Sequence, residues 1–130
     1  MLAVLRIVAG AVLMTYGTMK LFNNPPMPTG MPPIALMSTL GLAGALETFG
    51  GLAILLGFLT RPVAFILAGE MAVAYFQAHF PRSFFPSVNN GTPAVLYCFI
   101  FLYFVAAGAP LWSVDAMIGR SPRRSDSSAV

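Results

Sequence analysis

Four residues in this sequence combine ionisable chemistry with apolar surroundings: Arg6, Lys20, Glu47 and Glu70. Glu47 lies near the middle of the run from Ile34 to Leu59, and Glu70 lies within the run from Val63 to Phe80. A carboxylate at mid-membrane costs about 2.5 to 3.5 kcal/mol on insertion scales, so it needs a partner, a proton or a function. At about 100° per residue, Gly50 and Gly51 fall on the same side of a helix as Glu47, and small residues let a neighbouring backbone approach closely. Glu47 is therefore expected to face other helices or a cavity. Glu70, Ala74 and Gln77 follow at i, i+4 and i+7, which makes a narrow polar stripe. Along the first run, Arg6, Gly10, Leu13, Gly17 and Lys20 share one face, two cations and two glycines set to pack against acidic helices. With a rise of about 1.5 Å per residue, depth favours Arg6 beside Glu70, while Lys20 must reach inward to approach Glu47.

The chemistry such a set can do is a polar pocket inside the bilayer. Glu47, Glu70, Lys20, Arg6 and Gln77 would line it, with Tyr97 on the last helix, backed by Phe101 and Tyr103, completing the wall. There one carboxyl would exchange a proton or hydrogen-bond a polar headgroup. The competing reading is structural: paired charges that fix helix register and carry no reaction. His79 falls roughly opposite the stripe and near the end of its run, which suits an interfacial residue, and Cys98 reads as a small buried hydrophobe. One histidine and one cysteine exclude an intramolecular disulfide, a CxxC redox pair, a Cys/His zinc cluster and a bis-histidine haem within one protomer. No tightly bound metal, haem or flavin is expected.

The elements that must position these residues follow from composition. The chain has 130 residues, 58% hydrophobic and 8% charged, with a mean hydropathy of +0.81, far from the soluble average of about a quarter charged. A span needs about 20 apolar residues, so the length admits four spans and no sizeable soluble domain. The expected class is all-α: a polytopic membrane four-helix bundle with spans at about 2–21, 34–59, 63–80 and 94–111, within one domain covering 1–116. Pro32-Pro33 and Thr60-Arg61-Pro62 mark the ends of the second span. The links NNPPMPTGMPP and PRSFFPSVNNGTP are long and Pro-rich, whereas Thr60-Arg61-Pro62 is minimal, so two helical hairpins result with both long links on one side. The distribution of arginine places the N-terminus, Arg61 and the tail in the cytoplasm, N-in and C-in, with Lys20 and Arg82 at the far side. The outer links, with Phe84 and Phe85, suit segments lying at the interface or folding over the bundle mouth. Residues 117–130, with Arg120, Arg123 and Arg124, read as a disordered basic cytoplasmic tail. The net charge of +3 belongs to topology and anionic headgroups; without aromatic-basic interleaving it does not imply nucleic acid.

Three stretches resemble the DoxX family. RIVAGAVLMTYGTMKLF resembles its opening, ETFGGLAILLGFLTRPVA its most distinctive stretch, and GAPLWSVDA its closing Ser-Leu-Asp ending, with Val114 where leucine is usual. The likeness runs from about Arg6 to Ala116. It puts Lys20, Glu47, Gly50, Gly51, Arg61, Ser113 and Asp115 at the family's characteristic positions. Where many members have Asn-Gly-Gly-Glu before the last helix, this chain has Asn90-Gly91-Thr92 and lacks that glutamate. The resemblance implies a four-helix bacterial inner-membrane protein. Some relatives are linked to quinone-coupled sulfur oxidation, and others to membrane complexes of oxidative-stress enzymes.

Three functions fit these residues. The first is an accessory subunit of redox metabolism that holds a quinone or lipid-like molecule between its helices. No catalytic motif is visible, so at most it would serve a quinone-linked oxidoreductase. The second is a small-solute or proton-coupled transporter using Glu47 and Glu70. The third is a membrane scaffold for soluble enzymes. Besides the lipid bilayer, the partners expected are a second copy of the chain and redox enzymes.

Overall fold

The computed structural model describes residues 1–27 and 34–119. They form six α-helices and one π-helical turn: α1 (Leu2–Phe22), α2 (Thr39–Leu56), α3 (Thr60–Ala74), the π turn Tyr75–His79, α4 (Pro86–Asn89), α5 (Thr92–Ala107) and α6 (Val114–Met117). No strand occurs among the described residues. By length and composition α1 and α2 are able to cross a membrane, each with a mean hydropathy of 1.6 over its best window, and α5 is a shorter apolar helix. The basic tail expected at 117–130 lies outside the described residues from position 120 onward, as does the 28–33 part of the first link.

Several boundaries differ from the expectation, and each difference has a local cause. The second helix begins at Thr39 rather than Ile34. Residues 35–38 form a turn, and the Ser38 hydroxyl accepts the Gly41 amide as an N-cap at 3.1 Å. The tight connection between α2 and α3 is Gly57-Phe58-Leu59 and not Thr60-Arg61-Pro62. Pro62 sits inside the first turn of α3, where a missing amide hydrogen is harmless. The third run does not continue as α-helix to Phe80 but ends in the π turn, with the Phe80 amide bonded to the Tyr75 carbonyl at 2.9 Å. The last long helix stops at Ala107, ahead of Gly108 and Pro110, instead of reaching Leu111.

α1 packs along α2, α3 packs along α5, and a lighter α2–α3 contact joins the two pairs. The α1–α2 seam is a backbone-to-backbone contact. A Cβ on Gly10 would lie 2.7 Å from the Gly51 carbonyl oxygen, and one on Gly51 would lie 2.8 Å from the Met14 nitrogen. No side chain larger than hydrogen fits there without separating the helices. Gly50 faces the other way, against Leu67 of α3, so the glycine pair lets α2 approach both of its neighbours. The core is the cluster of Leu13, Ile54, Leu67, Met71, Phe101 and Phe104. Large apolar side chains also cover the outside: Val8, Phe49, Phe65, Phe99 and Leu102 are all exposed. An apolar exterior over an equally apolar core suits lipid as solvent.

Candidate functional site

The buried charges separate into two centres. At the end of the molecule where α2 turns into α3, Arg6 is 2% exposed. Its Nη1 donates to the carbonyls of Ile54 and Leu55, both at 2.5 Å, and its Nη2 donates to the carbonyl of Trp112 at 2.6 Å. The first two are last-turn carbonyls of α2; the Ile54 carbonyl also accepts the Gly57 amide at 3.1 Å, and the Leu55 carbonyl lies beyond the reach of the helix's own amides. Across the same turn, Asp115 accepts the Leu59 amide on Oδ1 and the Thr60 amide on Oδ2, each at 2.8 Å, and its own amide donates to the Gly57 carbonyl at 2.9 Å. Gly57 has φ +71° and Leu59 φ +48°. The first suits glycine, and the second is uncommon for a branched side chain. The Asp115 carboxylate holds that turn in place and caps α3. Ser113 caps α6 by accepting the Ala116 amide at 3.1 Å and donates to the Pro110 carbonyl at 2.6 Å. A Cβ on Gly108 would come within 2.9 Å of Arg61 Nε, so the Arg61 side chain lies against the backbone that leads into this segment. Arg6, Arg61, Ser113 and Asp115 therefore meet in one knot that ties the 108–117 segment to the α2–α3 turn. Arg6 and Asp115 are near enough to attract each other electrostatically.

That placement corrects the expected pairing of Arg6 with Glu70. Helix-depth arithmetic matched charge with charge, whereas the guanidinium's two Nη atoms bond backbone carbonyls, two of them at a helix end, which carry partial negative charge but leave no mark in a list of acidic residues.

The second centre lies further along α1. Lys20 Nζ lies 2.6 and 2.7 Å from the two carboxylate oxygens of Glu47. Glu47 is 4% exposed, and the Lys20 side chain keeps 24% exposure. α1 supplies the lysine one turn beyond Gly17, where the Thr48 backbone of α2 presses against the glycine. The reach of Lys20 to Glu47 thus follows from the same close seam. Glu70 approaches from α3, near enough to interact with the charges of both Glu47 and Lys20. Both of its oxygens are buried, and neither has a hydrogen-bond partner among the described residues. Tyr97 of α5 stacks on Phe101 at 5.5 Å and lies near enough to feel the charge of Glu47. Lys20 and Glu47 are thus bonded, with Glu70 and Tyr97 within electrostatic range of Glu47. Arg6 and Gln77 are not part of this group. Gln77 is exposed within the π turn, because the change from α to π winding between Ala74 and Gln77 breaks the i, i+4, i+7 register.

Between α2 and α3 runs an apolar groove of about 330 Å³, with Leu46, Phe49 and Gly50 on one wall and Val63, Ile66 and Leu67 on the other. The α3 wall is the helix face that carries Glu70 one or two turns further on. His79 lies apart from both centres, with Nδ1 3.0 Å from the Asn89 carbonyl oxygen.

The DoxX family model matches residues 1–80, a stretch that includes Arg6, Lys20, Glu47, Gly50, Gly51, Arg61 and Glu70. A protein of Haemophilus influenzae described as "Uncharacterized protein" is 41% identical over 117 residues, which cover 88% of this chain and 87% of the relative. No solved structure matches.

Proposed function

The chain belongs to the DoxX family, and from that premise we propose that it is a four-helix inner-membrane protein in which Lys20, Glu47, Glu70 and Tyr97 receive the polar head of a quinone or lipid-like molecule. α1, α2, α3 with its π turn, and α5 are the four spans of this reading, arranged as two hairpins. Both termini are cytoplasmic, which puts the Arg6 knot at the cytoplasmic end and the Lys20–Glu47 centre in the outer half. In the cell the protein is an accessory subunit of redox metabolism.

The observation that carries the reading is Glu70. A buried polar group without a partner costs about 1 to 3 kcal/mol, and this one stands beside a carboxylate that already has its cation. Its two free oxygens fit a ligand head, since a carboxyl donates to a carbonyl when it carries a proton and accepts from a hydroxyl when it does not. Tyr97 offers a second hydroxyl and a ring to stack against. Lys20, bonded to both Glu47 oxygens, sets the field at the site while its partner stays fixed. The groove between α2 and α3 takes up the hydrocarbon part. When bound, a quinone supplies two-electron redox chemistry; the chain's own part is to orient the head and to hold or release a proton at Glu70.

Purification in mild detergent, followed by solvent extraction and mass spectrometry of bound lipids, tests this. Near-stoichiometric quinone or another head-bearing lipid in the unaltered protein, lost in a folded Glu70→Gln variant, is the expected result. Equal content in the two proteins, or none in either, sinks the reading.

A further inference from the structure

The link between the π turn and α5 has an unusual surface. Five rings follow one another in edge or tilted contact: Tyr75 with Phe76 at 5.4 Å, Phe76 with Phe80 at 5.7 Å, Phe80 with Phe84 at 6.1 Å and Phe84 with Phe85 at 5.6 Å. Four of these side chains are exposed, from 42% at Phe80 to 68% at Phe84, and Val88 beside them is 69% exposed. A lid folded over the bundle would bury those rings, and they are not buried.

The link is nonetheless held in shape from behind. Asn89, 2% exposed, donates to the Ser83 carbonyl at 2.7 Å and accepts the Gly91 amide at 2.7 Å. The Tyr75 hydroxyl donates to the Phe84 carbonyl, and His79 meets the Asn89 carbonyl. The polar groups of the turn are thus used internally while the apolar ones face out, the reverse of a loop built for water.

We propose that the segment Phe80–Val88 is a preorganised wedge seated in the headgroup and upper acyl region of the outer leaflet, with phospholipid as its partner. The inference rests on the transmembrane arrangement proposed above. Two observations select lipid over a soluble partner. The ring series begins on Phe76 of the π turn, so the patch continues the exposed apolar face that α3 presents through Phe65, Ile66 and Val73. Arg82, the one Lys or Arg between Glu70 and Asp115, is exposed within the segment and can meet a lipid phosphate while the rings lie lower. Because the shape is fixed beforehand, insertion costs little ordering.

Tryptophan fluorescence tests the proposal in the full chain reconstituted into phosphatidylglycerol nanodiscs, with the lipid brominated either near the top or near the end of its acyl chains. The single natural tryptophan is removed by Trp112→Phe, and Phe84→Trp or Phe85→Trp reports on the wedge. Phe99→Trp, on the exposed middle of α5, reports on the span. The wedge variants should lose roughly half of their emission to the shallow bromines, less to the deep ones, and little to aqueous iodide, as expected for rings about 5 to 10 Å into the interface. Phe99→Trp should respond most to the deep bromines. Wedge tryptophans open to iodide and indifferent to bromolipid, with Phe99→Trp still quenched, would overturn the wedge alone and leave a patch for a soluble partner. An unquenched Phe99→Trp would overturn the membrane arrangement itself. Two wedge positions guard against one substitution failing to fold.

Discussion

The two buried charge centres use the same kinds of residue to opposite ends. In the knot, Arg6 and Asp115 are bonded mainly to backbone: three carbonyls on one side, and two amides and a carbonyl of the α2–α3 turn on the other. Backbone partners cannot swing away, so the knot is fixed in place, with Arg6 Nε and Thr60 Oγ1 the buried atoms there that have no hydrogen-bond partner among the described residues. In the outer centre, Lys20 and Glu47 satisfy each other through side chains, and Glu70 is left with two buried oxygens and no bond among the described residues. A centre whose charged groups are anchored on backbone is what structure requires, and one that leaves a whole carboxyl unbonded is what a binding site requires.

The strongest way to test that contrast is to break the knot. Arg6→Ala strands the Leu55 and Trp112 carbonyls and the charge of Asp115, and removal of one partner of a buried ionic group costs about 3 to 5 kcal/mol. Thermal unfolding in detergent should show that loss, and Arg6→Lys should recover only part of it, because an ammonium lacks the planar fork that reaches three acceptors. A neutral Arg6→Ala would make the knot incidental. Glu47→Ala should come close behind, at the upper end of about 3 kcal/mol, since Lys20 keeps some access to water and can relax toward it. Glu47→Gln should fold better than Glu47→Ala, because its amide oxygen still accepts from Lys20. Asp115→Asn leaves one oxygen to serve two amides and should cost about 1 to 3 kcal/mol, with faster amide exchange at Leu59 and Thr60 as its local signature. Glu70→Gln should move stability least, within about 0.5 kcal/mol in either direction, while abolishing retention of the bound molecule. If Glu70→Gln instead destabilises the fold as much as Asp115→Asn does, the outer centre is as structural as the knot and the contrast disappears.

Much of this arrangement can be read from residue types and spacing. The shared face of Arg6, Gly10, Leu13, Gly17 and Lys20 is the face that α1 turns inward, because the glycines two turns apart, Gly10 and Gly17, let the α2 backbone approach closely. The intramembrane glutamates announce themselves by cost. What could not be read is anything whose partner is backbone. Arg6 sits on helix-end carbonyls, and Asp115 reaches 55 residues back to the Thr60 amide; no charge-matching argument finds either. The family likeness marked Asp115 and Ser113 as positions without saying what they do. Likewise, Thr60-Arg61-Pro62 looks like a turn because Pro cannot continue a helix, although it is equally at home in a helix's first turn. Here a carboxylate from a distant segment supplies the cap that lets the helix start two residues earlier than Pro62. The π turn was equally hidden, since no residue type demands it.

The knot also bears on how the protein is made. Chains are synthesised from the N-terminus, so α1, α2, α3 and α5 leave the ribosome before Asp115 does. Until that residue arrives, the amides of Leu59 and Thr60 have no carboxylate to meet. The joint between the α1–α2 pair and the α3–α5 pair is therefore fastened by a piece translated after all four long helices, and a nascent chain halted before Ser113 would hold its two halves in company but not in register.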